Sequence, residues 1–301
     1  MTRPERSRLI GYGLVAAAAC GWGTWPLILR SAEKIGRLDP AVEAVILMGV
    51  LTLVAAPFSA VDRVRVRADA KAWRLLVWLG VADAMNVILF FAAYQKTSVA
   101  VAVLTHYLTP IFVAIGAPLV LHERTTARTV GAAAVSFAGL VLLLAPWSAP
   151  PGASWVGAAC GAGSAVFYAS NVLVNKRLAG TFSASELMFY HGLVATPLLA
   201  LFVPRAAWAA DPAAMAIVAV GSLGPGAMAG LAFTWGLRRV QASHASTLTL
   251  LEPLVARMIG AFVYAERLAS SGFVGAALIL VGAAVVVTGA EVRQQSSRPG
   301  V

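Results

Sequence analysis

Charges, prolines and glycines cut this chain into ten apolar runs, at about 9–29, 40–60, 73–94, 98–121, 127–146, 154–175, 184–203, 214–236, 244–264 and 271–290. A helix rises 1.5 Å per residue, so about 20 mostly apolar residues cross the hydrocarbon of a bilayer. Each run is long enough for one helical span. None has the short alternating pattern of a barrel strand, which needs only about ten residues. The connections are short, so neighbouring spans run antiparallel and no soluble domain fits between them. The pattern predicts an all-α membrane protein with ten transmembrane helices.

A repeat lies on top of this pattern. The stretch Ser243–Arg267, SHASTLTLLEPLVARMIGAFVYAER, matches Ala100–Arg124 at one constant offset of 143. Pro253 falls on Pro110, and Glu266-Arg267 falls on Glu123-Arg124. The register continues, with Leu280 on Phe137 and Gly282 on Gly139. Earlier spans fit more loosely, through Arg30 against Lys176, Glu43 against Glu186 and Phe90 against Phe233. Each half holds five spans, an odd number, so the second half enters from the opposite side. The halves are therefore two inverted five-helix repeats, a recurring transporter plan with the site near the midplane. The expected organisation is a tail at 1–8, a first repeat at 9–146, a second repeat at 154–290 and a tail at 291–301.

Composition agrees. The 301 residues are 59% hydrophobic and 12% charged, against about 25% charged in soluble proteins. The net charge of +10 forms no stripe or motif for nucleic acid. It follows membrane sidedness instead. Ten spans put both termini on one side, where sixteen Lys and Arg fall, against six on the other, with Arg257 left inside the membrane. That bias places both termini in the cytoplasm. The start, MTRPERSR followed by the run from Leu9, is similar to a signal peptide, but the run is long enough to span and is expected to be retained. The leucine of a lipoprotein site is missing before Cys20. Cys20 and Cys160 lie in apolar spans and read as small packing residues.

Several residues are candidates for chemistry. Pro110 and Pro253 remove backbone donors, which frees the carbonyls of His106 and Thr249 to face protein, water or substrate; a packing kink is the plainer alternative. Pro26, beside Trp22 and Trp25, interrupts the first span. Arg257 lies four residues after Pro253, and an arginine inside a span costs about 2.5–3.5 kcal/mol on insertion scales. It can hold an anionic group, pair with Glu252 or Asp83, or snorkel to the far interface. Asp83, Asn86 and Phe90 line one face of the third span. Asp83 and Glu252 are central acids that can exchange a proton or serve as fixed partners of Arg257. Glu43 reads as a first-turn helix carboxylate. His106 and Tyr107 sit one turn before Pro110. Tyr168, Asn171 and Asn175 make a polar stripe that can meet substrate or bind helices together. His191 reads as structural. Gly157/Gly161 and Gly226/Gly230 have close-packing spacing. No nucleophile–base set, nucleotide loop or metal-ligand cluster is visible.

Leu251-Glu252-Pro253 followed by Glu266-Arg267 resembles the ninth-helix signature of the drug/metabolite transporter superfamily, EamA type. Thr109-Pro110 with Glu123-Arg124 resembles the fourth-helix signature, and Gly21-Trp22-Gly23-Thr24 the first-helix pattern. The resemblance runs from Leu9 to Gly289. It implies ten helices in two inverted repeats, a central substrate cavity and alternating access. Members move amino acids, aromatic compounds, nucleotide sugars and cationic drugs, so it does not name a substrate. Small four-helix members carry an essential glutamate in their first helix. Leu9–Leu29 contains no acid, so that coupling mechanism does not carry over. Arg257 also lies outside the general pattern.

The expectation is a secondary transporter in the cytoplasmic (inner) membrane, exporting an amino acid or related carboxylate. Arg257 would bind the carboxylate. Trp22, Asn86, His106, Tyr107, Pro110, Tyr168, Asn171, Trp235, Thr249 and Pro253 would shape the site, and Asp83 or Glu252 would exchange a proton. The alternatives are efflux of cationic or aromatic drugs, drawn by Glu252 or Asp83, and a non-transporting membrane subunit. The partners expected are a small molecule and the bilayer, with no cofactor, no metal and no nucleic acid. One chain completes an inverted pair, as a monomer or within a homodimer.

Overall fold

The computed structural model describes residues 3–62, 68–148 and 154–295, and no strand occurs among them. Arg63, Arg65, Arg67 and Arg298, four of the basic residues in the charge count, lie outside the described residues. Ten helical stretches are long and apolar enough to cross a membrane. They are span 1 (Glu5–Glu33), span 2 (Pro40–Val61), span 3 (Ala70–Lys96), span 4 (Val99–Val120), span 5 (Ala127–Ser148), span 6 (Trp155–Leu178), span 7 (Ala184–Leu201), span 8 (Pro212–Leu237), span 9 (Ala242–Val263) and span 10 (Ser270–Gly289).

Local chemistry sets where the spans begin. Asp39, Asp69, Ser98, Thr126, Ser154, Ser183 and Asp211 each turn a side-chain oxygen onto a first-turn amide of the span that follows. Such a cap satisfies a donor that the helix itself leaves unpaired. Ser183 and Glu186 form a full capping box, so Glu186 serves the end of span 7. Large apolar side chains such as Leu53, Ile115, Leu119 and Phe262 stay exposed, as lipid-facing positions must. Trp147 and Trp155, both exposed, flank the connection between spans 5 and 6, at the level where indole rings favour the membrane interface.

The helices pack in an order that only an inverted pair generates. Spans 2 and 7, 4 and 9, and 5 and 10 each pack against their own counterpart in the other half. The remaining large contacts come in matched sets. Span 3 on span 6 is answered by span 8 on span 1; span 3 on span 7 by span 8 on span 2; span 4 on span 6 by span 9 on span 1. The two halves therefore interdigitate about a pseudo-twofold axis in the membrane plane. The seam between spans 5 and 10 is closest. A Cβ on Gly139 would lie 2.6 Å from the Gly275 carbonyl oxygen, and one on Gly282 2.7 Å from that of Ala132. Small residues let membrane helices meet backbone to backbone.

Four spans are irregular inside the membrane. Span 1 breaks at Thr24, span 4 at Tyr107-Leu108 and span 9 at Thr249-Leu250. Span 8 carries a π-helical turn, Leu223–Met228. There Pro225 lacks an N–H, and the Ser222 carbonyl accepts from both Gly226 and Ala227. The start of span 1 and the end of span 10 share one face, since Arg8 and Gly289 line one cavity. That side is called the near face below.

Candidate substrate site

The breaks of spans 1 and 9 meet. A Cβ on Gly23 would lie 2.6 Å from the Glu252 carbonyl oxygen and 2.6 Å from Val255 Cβ. Only glycine lets the two backbones approach this closely. Gly23→Ala is expected to force the spans apart and cost about 1–3 kcal/mol, the usual penalty for overpacking. Gly13→Ala, where a Cβ meets nothing within 4 Å, is the control and should not destabilise. Thermal unfolding of both variants checks this.

The carbonyls freed by the prolines are served by the chain itself. The Thr109 hydroxyl donates to the His106 carbonyl at 2.7 Å, and the Glu252 amide donates to that of Thr249 at 3.0 Å. Of the protein, water or substrate partners expected from the sequence, the protein supplies one to each carbonyl. The breaks matter for what they orient. Glu252 opens the second half of span 9, and Tyr107 at the break of span 4 lies near its carboxylate. Tyr94 of span 3 and Tyr168 of span 6 also face that carboxylate.

An aromatic and amide lining surrounds this acid. The His106 ring stacks on Tyr168, centroids 5.3 Å apart and 9° from parallel, and lies 4.4 Å from Phe90. Phe90 meets Tyr94 edge-on at 4.8 Å. His106 Nδ1 lies 2.7 Å from Ser164 Oγ, which donates to Asn86 Oδ1 at 2.8 Å. The serine proton is thereby committed, so Nδ1–H donates and the relay runs from span 4 through span 6 to span 3. The Asn86 amide nitrogen is left to donate elsewhere. Beneath it, Asp83 accepts from Asn171 Nδ2 at 3.1 Å and lies 3.3 Å from His191 Nε2. His191 Nδ1 donates to the Leu187 carbonyl at 2.8 Å. Trp22, Asn86, Phe90, Tyr168, Asn171 and Glu252 all stay part-exposed.

Not every sequence candidate joins this cluster. Arg257 reaches away from it. Its Nη1 donates to Glu266 Oε2 and its Nη2 to the Arg267 carbonyl, both at 2.8 Å. It pairs with Glu266 and not with Glu252 or Asp83, because the acid at the helix end lies where a long side chain can reach interfacial water. Trp235 belongs near the other end of the molecule, beside Leu14, Asp62 and Arg238. Thr249 is buried, its hydroxyl spent on the Ser246 carbonyl. Asn175, also buried, ties span 6 to Thr234 of span 8. Trp22 borders the cluster, packed 5.2 Å from Phe233. Conversely, Tyr94 joins the site without having been picked out, and His191, read from the sequence as structural, lies beside Asp83. Tyr94 continues the i, i+3, i+7 face of Asp83, Asn86 and Phe90 by one more turn, a signal present in the sequence. His191 gave no such signal.

Comparison with known proteins agrees with the fold. The model of the EamA-like transporter family matches twice, over residues 9–145 and 155–288. The chain belongs to the EamA-like transporter family. It is 30% identical over 215 residues to an uncharacterized transporter of Archaeoglobus fulgidus, covering 69% of this chain and 74% of the relative. It is 28% identical over 216 residues to the uncharacterized transporter YwfM of Bacillus subtilis, covering 70% and 72%. A solved crystal structure superposes with a TM-score of 0.75 at 22% identity, over 93% of this chain and 96% of the other, which shows the fold alone.

Each EamA half ends its fourth helix with the same device. His122 and Ala265, one offset apart, both have positive φ, 56° and 53°. The next amide then bonds back, Glu123 to the Ala117 carbonyl at 3.3 Å and Glu266 to the Gly260 carbonyl at 3.0 Å. This turn lays each glutamate against the first helix of the other half. Glu123 pairs with Lys176 at 3.0 Å on the near face, and Glu266 pairs with Arg30 on the far face. The Arg30 guanidinium also sits 4.0 Å above the Tyr264 ring. The locks are reciprocal but unequal. The near one is about 15–18% exposed at its side chains and also receives the Ala242 amide at 2.8 Å. The far one is 34–41% exposed and adds Arg257.

Proposed function

We propose that this EamA transporter exports a small zwitterion, an amino acid with an apolar or aromatic side chain, across the cytoplasmic membrane. The observation that carries the reading is Glu252, a carboxylate at a helix break faced by Tyr94, Tyr107 and Tyr168. A carboxylate set among tyrosines suits an ammonium group, through a charge-assisted contact. The Asn86 amide is a donor for the substrate carboxylate. Six basic side chains line a cavity at the near face. They repel a permanent cation and admit a neutral zwitterion, which ranks amino acids above cationic drugs. The positive charge bias supports a cytoplasmic near face.

Alternating access in this reading exchanges the two locks: one parts while the other holds. Asp83 is the proton carrier, faced by Asn171 and Tyr168 of span 6 and His191 of span 7. Since His191 Nδ1–H is committed to a carbonyl, one proton between Nε2 and Asp83 distinguishes the two charge states of the pair.

The test is thermal stability of the purified protein and of Arg257→Ala against a metabolite library, followed by flux in proteoliposomes with and without a pH gradient. A ligand of the folded state at 100 times its Kd stabilises by about 2.7 kcal/mol. Amine-bearing zwitterions are expected to stabilise both proteins alike, and flux is expected to follow the gradient. Protection lost in Arg257→Ala would return the anchoring role to that arginine. Protection by organic cations alone would favour drug efflux.

A further inference from the structure

A cavity lined by none of the Glu252 cluster lies elsewhere in the fold. It opens at the near face with a volume of about 770 Å³. Arg8, Arg124, Arg128, Lys176, Arg238 and Arg239 contribute to its wall. Among the described lining residues the one carboxylate is Glu123, and both its oxygens are engaged, by Lys176 and by the Ala242 amide. Arg238 is turned to the Phe182 carbonyl at 2.7 Å. Arg239 turns back to the Trp235 carbonyl. Arg8 of span 1, Arg124 of the connection between spans 4 and 5, and Arg128 of span 5 share the remaining wall. Arg128 gives one guanidinium nitrogen to Thr288 Oγ1 at 3.2 Å and keeps other donors.

Membrane sidedness explains cations on this face. It does not explain why they converge on one hollow whose acid is already spent. The floor is polar as well. The Tyr12 hydroxyl meets His244 Nδ1 at 2.6 Å, and Thr129 Oγ1 meets His244 Nε2 at 3.1 Å. Arg128 is placed by the missing side chain of Gly289, where a Cβ would lie 2.8 Å from its Nε.

We infer that this vestibule is a binding site for a phosphate-bearing anion, held by Arg8, Arg124 and Arg128. Guanidinium forks match phosphate oxygens in pairs and are less costly to desolvate than ammonium groups. The volume accepts a phosphorylated metabolite or a phospholipid headgroup, which share this chemistry.

The experiment titrates full-length protein in neutral detergent with sodium pyrophosphate, at ionic strength held constant with sodium chloride. A parallel arm compares melting in nanodiscs of zwitterionic lipid with and without phosphatidylglycerol. Pyrophosphate binding that weakens at least tenfold in Arg124→Gln/Arg128→Gln supports a soluble ligand. Protection by phosphatidylglycerol alone, lost in the same variant, supports a lipid headgroup. If that variant does not fold, Arg8→Gln, at the outer end of span 1, carries the test. Glu252→Gln should bind pyrophosphate like the parent, which separates this site from the transport reading. No protection beyond chloride in either arm, or equal protection of parent and variants, would overturn the inference.

Discussion

Glu252→Gln is expected to lower substrate affinity and flux by about 30-fold or more while the protein still folds. Glutamine fills the same space and keeps a carbonyl oxygen near Tyr107. What it removes is the negative charge at the centre of Tyr94, Tyr107 and Tyr168. Removing one partner of a desolvated charge pair costs about 2–5 kcal/mol in binding, which is roughly 30-fold to several thousand-fold. Stability should be kept, since a neutral amide is easier to bury than an uncompensated carboxylate. Ligand titration of the purified variant, followed by melting without ligand, reads both quantities. Parental affinity in Glu252→Gln would remove the acid from the site, and a lost fold would make it structural.

Lys176→Met is expected to have the next largest effect, on the conformational equilibrium. Glu123 keeps under a fifth of its exposure, so it would be left as a poorly solvated charge. Breaking such a pair costs about 3 kcal/mol, the low end for buried pairs. Glu123→Gln added to Lys176→Met should restore part of that loss, because no lone charge then remains. Arg30→Met, at the more exposed far lock, should cost only about 0–1 kcal/mol. The unequal locks favour the conformer closed at the near face. Loss of the near lock should therefore raise near-side labelling of a cysteine placed at Thr247, which is buried on span 9 between Ala242, tied to Glu123, and Glu252. The background needs Cys20 and Cys160 replaced, since both are free thiols. If Lys176→Met melts like the parent and Thr247→Cys labels no faster, Glu123–Lys176 is not a gate.

The Glu-Arg endings illustrate how far a sequence can be read. Their equal spacing from Pro110 and Pro253 identifies them as equivalent. It does not say that each glutamate crosses to the other half, because that depends on the backbone turn at His122 and Ala265 and on the interdigitation of the halves. Arg257 illustrates how packing selects among readings that the sequence left open. An arginine four residues after a midspan proline is close to the centre along the helix axis. Its side chain is long enough to leave that level and reach Glu266, whose position is set by the turn after Val263. Asp83, Asn86, Phe90 and Tyr94 were legible as one face because helical period alone aligns them.

The ten spans, their near boundaries and the inverted halves were determined by the sequence itself. Hydrocarbon demands long apolar helices, capping residues mark where they start, and an odd number of spans per half dictates inversion. Which polar side chains meet was decided by the tertiary structure. Glu252 faces three tyrosines from three different spans, and His191 reaches Asp83 from span 7, because helix crossings and the breaks at Thr24, Tyr107 and Thr249 set the direction of each side chain. Those crossings rest on contacts between residues far apart in the chain, and no local pattern encodes them.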